Sequence, residues 1–179
     1  AAGAAVGGLG GTAIGYYMDK QAKEMEQVLA RQDRLEREGE ALRVSLASDV
    51  LFESGSARLQ PGAEDKLSEL ARVLDRYPRT RVDIIGHTDN RGTEAFNQPL
   101  SERRAAAVAD AMQREGVDAH RITARGIGEA RPVAGNDTPT GRAMNRRVDI
   151  FLQPSDEFVA ENRSSGHAAG PAAGEGEPH

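Results

Sequence analysis

The chain has 179 residues, a net charge of −5 and no cysteine, which fits one modest globular domain with accessory segments. The acidic balance argues against a nucleic-acid surface, because phosphate contacts are made mainly by clustered Lys and Arg. Without thiols there is neither a disulfide framework nor a thiolate metal site. The 20 glycines and 8 prolines crowd the two ends, so the middle must carry the fold.

Residues 1–18 contain no charged side chain, and Gly3, Gly7, Gly11 and Gly15 recur every four residues. On a helix they line one stripe, and small residues at that interval let helix backbones approach closely. Two readings stay open. One is a membrane-associated, self-associating glycine zipper with Tyr16 and Tyr17 at its interfacial end. The other is a flexible leader, since Gly costs about 1 kcal/mol in a helix interior. The chain opens on Ala1 without a basic n-region, so a targeting signal, and any lipidated cysteine, is expected upstream.

Residues 19–43 are rich in charge of both signs, and Met25, Val28, Gln32, Leu35, Gly39 and Leu42 follow a 3,4 spacing. The pattern predicts an extended, solvated amphipathic helix acting as a spacer. A short coiled coil is the alternative, with Gln32 and Gly39 as poor seam residues.

Residues 44–153 change period repeatedly, which signals mixed α and β structure. Val44, Leu46, Val50 and Phe52 share one parity and predict a strand, followed by a turn at Ser54-Gly55-Ser56. Leu67, Leu70, Ala71 and Leu74 predict a helix after Pro61 that ends at Tyr77-Pro78. Val82 and Ile84 predict a second strand running into Gly86-His87-Thr88-Asp89-Asn90. A second helix is expected from about Pro99 to Gly116. Ile122 with Ala124, and Val148 with Ile150 and Leu152, give the third and fourth strands. Residues 154–179 lack apolar periodicity and read as a disordered tail.

Two arginines break the pattern. Arg104 shares the buried stripe of Leu100, Ala107, Val108 and Ala111, and Arg146 has the parity of Val148, Ile150 and Leu152. A guanidinium facing the sheet needs a carboxylate or a ligand, and Asp89 at the end of the preceding strand is the expected partner. Either the arginines belong to a structural ion-pair network, or they form a small anionic or zwitterionic site.

The run Gly86-His87-Thr88-Asp89-Asn90-Arg91-Gly92, then Asn97, Leu100-Ser101 and Arg104-Ala105, resembles the peptidoglycan-binding domain of the OmpA-like family. The resemblance continues through Gly126-Ile127-Gly128-Glu129, Pro132, Asn136 and the stretch from Gly141 to Val148, and it covers residues 44–153. The leader ending in Gly15-Tyr16-Tyr17-Met18-Asp19 is similar to that of glycine-zipper outer-membrane lipoproteins in this family.

The resemblance implies an α/β two-layer sandwich, with a mixed four-stranded sheet and helices packed on one face. It implies noncatalytic binding of peptidoglycan through meso-diaminopimelate of the stem peptide. Asp89 would accept the ammonium of that residue and Arg104 would bind its carboxylate. Asn97 would add hydrogen bonds and Arg146 would support the carboxylate side. Leu100 and the loop from Phe52 to Ser56 would form walls, while Thr88 and Gly55 complete the expected set, Gly55 through its backbone alone. The protein would thereby tether the outer membrane to the cell wall from the periplasm. The alternatives are an inner-membrane stator or secretion-system anchor, or a cell-wall hydrolase.

Enzymatic and cofactor readings are weaker on the residues themselves. His87 and Asp89 form an HxD pair without a second ligand cluster. Gly126-Ile127-Gly128 lacks the third glycine of a dinucleotide loop, and no GxxxxGK[ST] or GxSxG occurs. No enzyme activity, metal or cofactor is expected.

Overall fold

Thr12 caps the first helix, its hydroxyl accepting the Gly15 N–H at 2.9 Å and so satisfying one of the unpaired donors of the first turn. The computed structural model describes residues 12–166. After α1 (Ala13–Val28) come β1 (Arg34–Glu38), β2 (Ala41–Ala47), the short α2 (Ser48–Leu51) and α3 (Pro61–Arg76). The chain continues through β3 (Thr80–Gly86), α4 (Glu94–Arg114), β4 (Ile122–Gly126), α5 (Pro139–Asn145), β5 (Arg147–Pro154) and α6 (Asp156–Gly166). Of the zipper glycines, Gly3, Gly7 and Gly11 lie outside the described residues, whereas Gly15 is buried within α1.

The sheet is mixed, as expected, but has five strands rather than four, in the order β1-β2-β5-β3-β4. Only β3 and β4 pair in parallel, and α4 is the crossover between them, as parallel neighbours require. Leu42, Val44 and Leu46 of β2 lie opposite Leu152, Ile150 and Val148 of β5. Val82 and Ile84 of β3 continue that row. These residues join Leu67, Leu70 and Leu74 of α3 and Val108 and Met112 of α4 in one apolar core.

The expected spacer helix over residues 19–43 is not formed. Helix α1 stops at Val28, and Leu29 is already extended. The carboxylate of Asp33 then accepts the Ala30 N–H at 2.9 Å and holds the turn, and Arg34–Glu38 pairs with Ala41–Ser45 as a hairpin. Gly39, at φ 61°, supplies the left-handed conformation that a two-residue hairpin turn demands. Helix α1 is not a solvated rod either. Met18, Ala22 and Met25 are no more than 1% exposed, and Asp19 is tied to Arg37 of β1 at 2.5 Å. The 3,4 spacing was therefore two coincident patterns, a docked helix face up to Met25 and alternating strand residues beyond it.

Three other boundaries move. The strand expected to reach Phe52 ends at Ala47, and the chain turns through α2, leaving Val50 exposed and Phe52 buried. Helix α4 begins at Glu94 rather than near Pro99, because the Thr93 hydroxyl accepts from Phe96 N at 3.3 Å and caps it earlier. The first part of the segment expected to be a disordered tail forms α6, and residues 167–179 lie outside the described residues. Phe158 of α6 is 4% exposed. Its ring packs edge-on against Tyr17 with centroids 5.1 Å apart, and the Arg79 guanidinium sits 4.0 Å over it, an arrangement that favours burial of the aromatic.

The start of α1 lies beside Glu40 and beside Asn162 and Arg163 of α6. Glu40 belongs to the β1–β2 turn, at the opposite end of the sheet from the end of β3. The end of β3 is where the unusual charges collect.

Candidate ligand-binding site

Helix α4 comes unusually close to the sheet at two glycines. A Cβ on Gly86 would fall 2.1 Å from the Ser101 carbonyl oxygen, and one on Gly126 would fall 2.2 Å from the Glu102 nitrogen. Both strand ends are thus free to press against the helix three residues before Arg104. The Ser101 hydroxyl also accepts from Gly128 N at 2.9 Å, and Thr88 N donates to Gly128 O at 2.9 Å. These contacts fix the loop after β3, the loop after β4 and the α4 helix in one frame.

Within that frame Asp89, 7% exposed, accepts from Arg91 N at 3.0 Å through one oxygen. Its other oxygen accepts from Nη1 of Arg146 at 2.7 Å. Asn97 donates through Nδ2 to the carbonyls of Asp89 at 3.3 Å and Arg91 at 2.9 Å and to the Glu129 carboxylate at 3.2 Å. Its role is to hold the Asp89 loop in shape. Thr88 is buried, and its hydroxyl has no hydrogen-bond partner. Leu100 is 4% exposed yet stands apart from the main apolar cluster, beside the polar groups.

Arg104 is 5% exposed, as its place on the helix stripe requires, but the expected partner is not there. Asp89 is taken by Arg146. Arg104 instead donates from Nε to the Ser56 carbonyl at 2.9 Å and lies with its guanidinium carbon 5.2 Å from the centre of the Phe52 ring. It forms no ion pair among the described residues. Burial pulls its pKa below the usual guanidinium range, and neighbouring Arg146 adds to that fall against the opposing pull of Asp49 and Asp89. Arg146 is the reverse case. Hydrogen bonds that it donates to Asp49 foremost, and to Asp89, outweigh partial burial and raise its pKa.

The structure therefore brings together Asp89, Asn97, Arg104, Arg146, Leu100 and Thr88, with Gly55 at the rim. Gly55 occupies the left-handed region at φ 64°; the carbonyl that reaches Arg104 is that of its neighbour Ser56. The sequence reading missed Asp49 and Glu129. Asp49 was hidden because its segment read as strand, whereas in α2 it swings to Arg146, with bonds of 2.9 and 2.7 Å.

Arg147 and Asp149 have the opposite parity to Val148 and Ile150, and both are nonetheless buried, at 7% and 2% exposure. They pair with each other at 3.0 Å, and Asp149 also bonds Nε2 of His87 at 3.0 Å. The two members of the HxD pair thus hold different partners, His87 on Asp149 and Asp89 on Arg146. Among the described residues no group of three or more His, Cys, Asp or Glu is placed to hold a metal ion. No described helix is long and apolar enough to cross a membrane.

The model of the OmpA family matches residues 51–146, a stretch that makes up more than half of the chain and includes every site residue expected from the sequence, from Gly55 to Arg146, though not Asp49. The chain belongs to the OmpA family. It is 43% identical over 145 residues to the probable lipoprotein YiaD of Escherichia coli, covering 80% of this chain and 66% of the relative. It is 41% identical over 112 residues to the peptidoglycan-binding protein ArfA of Mycobacterium tuberculosis, covering 63% and 34%. The chain therefore spans about two thirds of the first relative and a third of the second. Among solved structures, the cell wall anchor of the T6SS from Pseudomonas aeruginosa superposes with a TM-score of 0.65 at 32% identity, covering 79% of this chain and 97% of that one.

Proposed function

We propose that this OmpA-family domain is a noncatalytic anchor that binds peptidoglycan through the free amino-acid end of meso-diaminopimelate in the stem peptide. The observation that carries the reading is the buried Arg104 guanidinium, which has a single carbonyl partner and no carboxylate. A planar cation in that position is suited to a bidentate carboxylate. Asp89 supplies the opposite sign. Its two oxygens each hold one protein bond, and a carboxylate has about four acceptor positions, so acceptor capacity remains for an ammonium. Leu100 and Phe52 provide the apolar wall for the aliphatic stem between the two charges.

The relatives named for peptidoglycan binding and for cell-wall anchoring support the same ligand class. The upstream connection enters beside Glu40, at the end of the sheet remote from Asp89. In our reading the domain turns its outer-membrane side and its wall side to opposite ends of the sheet.

Calorimetry with stem peptides that contain meso-diaminopimelate, against identical peptides containing lysine, tests the assignment. Lysine keeps the ammonium and lacks the carboxylate, so a charged hydrogen bond of about 1.5–3 kcal/mol is lost. That predicts roughly ten- to a hundredfold weaker binding. Equal affinity for the two peptides overturns the clamp, and release of soluble fragments from purified sacculi would overturn the noncatalytic reading.

A further inference from the structure

Glu129 stands beside the Asp89 loop without a cation. It follows Gly128, whose carbonyl accepts from Thr88 N and whose own N–H donates to the Ser101 hydroxyl, both at 2.9 Å. The loop after β4 is therefore pinned to the Asp89 loop and to α4 at one residue. Glu129 itself is half-buried. Its Oε2 accepts from Asn97 Nδ2 at 3.2 Å, and the same amide holds the Asp89 carbonyl at 3.3 Å. The other carboxylate oxygen has no bond among the described residues and is open to solvent.

The charges of the site do not balance. Arg146 is shared by Asp49 and Asp89, and Arg104 is tied to a carbonyl. Glu129 forms no ion pair among the described residues, its single bond coming from a neutral amide. Two guanidinium groups are thus set against three carboxylates, and the acid left over is Glu129. A half-buried carboxylate kept near other acids costs free energy until a cation joins it. The bond from Asn97 does not require that charge, since the carbonyl of a glutamine side chain would accept it as well. Asp89 already answers to Arg146, so an incoming ammonium is attracted more strongly by the acid that has no counter-charge.

We propose that Glu129 is a second acceptor for the ammonium of the ligand, which it holds together with Asp89. The inference rests on the diaminopimelate reading above and deepens it. Arg104 reads the carboxylate, and the ammonium is read by two acids from two loops, those after β3 and β4. The pair favours a free, charged amine over an acylated one, which has lost both the charge and a donor.

Calorimetry on the full chain with three probes tests this assignment: a stem peptide containing meso-diaminopimelate, the same peptide acetylated on its free amine, and the lysine peptide. Acetylation should weaken binding to the wild type by roughly a hundredfold, because the charged hydrogen bonds of the amine are lost. Glu129→Gln keeps an acceptor for Asn97 and removes only the charge. It should weaken the diaminopimelate and lysine peptides alike, by about tenfold, and reduce the acetylation penalty by the same factor. Any steric cost of the acetyl group is common to both proteins and cancels in that comparison, and a merely structural role for Glu129 would leave the penalty unchanged. An acetylation penalty equal in variant and wild type, or unaltered affinity for the diaminopimelate peptide, removes Glu129 from the ammonium and leaves the Asp89–Arg104 clamp standing. A loss confined to the diaminopimelate peptide would tie Glu129 to the carboxylate side and overturns the assignment equally. Failure of the wild type to bind any of the probes overturns the peptidoglycan reading and this inference with it.

Discussion

Asp89 and Arg146, 57 residues apart, are joined by a 2.7 Å ion pair, and the same guanidinium grips Asp49 through two further bonds. One cation thereby fixes two carboxylates at the mouth of the site and leaves Arg104 free of both. Arg146 is about 29% exposed in its side chain, so the value of the cluster lies in orientation more than in stability. Arg146→Lys keeps the charge but loses the planar fork. Calorimetry should show weaker binding of the diaminopimelate peptide by roughly tenfold, the equivalent of about 1.4 kcal/mol, with thermal stability little changed. Wild-type affinity in the lysine variant would remove Arg146 from the site.

Gly126 decides how closely α4 can approach. An alanine there would place its Cβ 2.3 Å from the Ser101 hydroxyl and 2.2 Å from Glu102 N, so the helix carrying Arg104 must shift. Urea unfolding of Gly126→Ala should show a loss of about 1–3 kcal/mol, together with weakened ligand binding. Gly62→Ala is the control. It sits in α3 with open space where its Cβ would stand and should be neutral or stabilising by up to about 1 kcal/mol.

The two flanking helices are part of the core. Met18 is 0% and Phe158 4% exposed, so Met18→Ala should cost about 2–5 kcal/mol and Phe158→Ala about 3–5 kcal/mol. A fragment cut to residues 44–153 lacks β1 and both helices and should unfold at markedly lower denaturant than residues 12–166. Coincident unfolding curves for the two fragments would show that the flanks merely rest on the domain.

The buried Asp149 should give the protein an acid-sensitive limb. Burial pushes its carboxyl up, but bonds from His87 and Ser45 and the charge of Arg147 outweigh that and hold it below the ordinary value of 3.8. A carboxylate with a depressed folded-state pKa binds fewer protons folded than unfolded. Its contribution is therefore complete above the unfolded value, and it is lost as pH falls through about 4 toward the folded one. Asp149→Asn should flatten that part of the stability–pH curve. At neutral pH it should destabilise by about 3–5 kcal/mol, because Arg147 is left buried without its counter-charge. An unchanged acid limb in the variant would locate the acid sensitivity elsewhere.

Much of this molecule was decided locally. The spacing of Leu67, Leu70, Ala71 and Leu74 was enough for α3, and the parity of Val148, Ile150 and Leu152 was enough for β5, because both patterns report one face buried against one partner. The run from Gly86 to Arg104 likewise marked the site, since a charged residue on a buried stripe is costly wherever the fold places it. The partners of those charges were a tertiary matter. Which carboxylate Arg146 meets depends on α2 turning Asp49 toward it across 97 residues of chain, and no periodicity records that. The hairpin at Arg34–Ala47 was obscured because a helix face and a strand face briefly share a spacing. Burial of α1 and α6 depended on finding each other through Tyr17 and Phe158, a contact between opposite ends of the sequence that only the folded core creates.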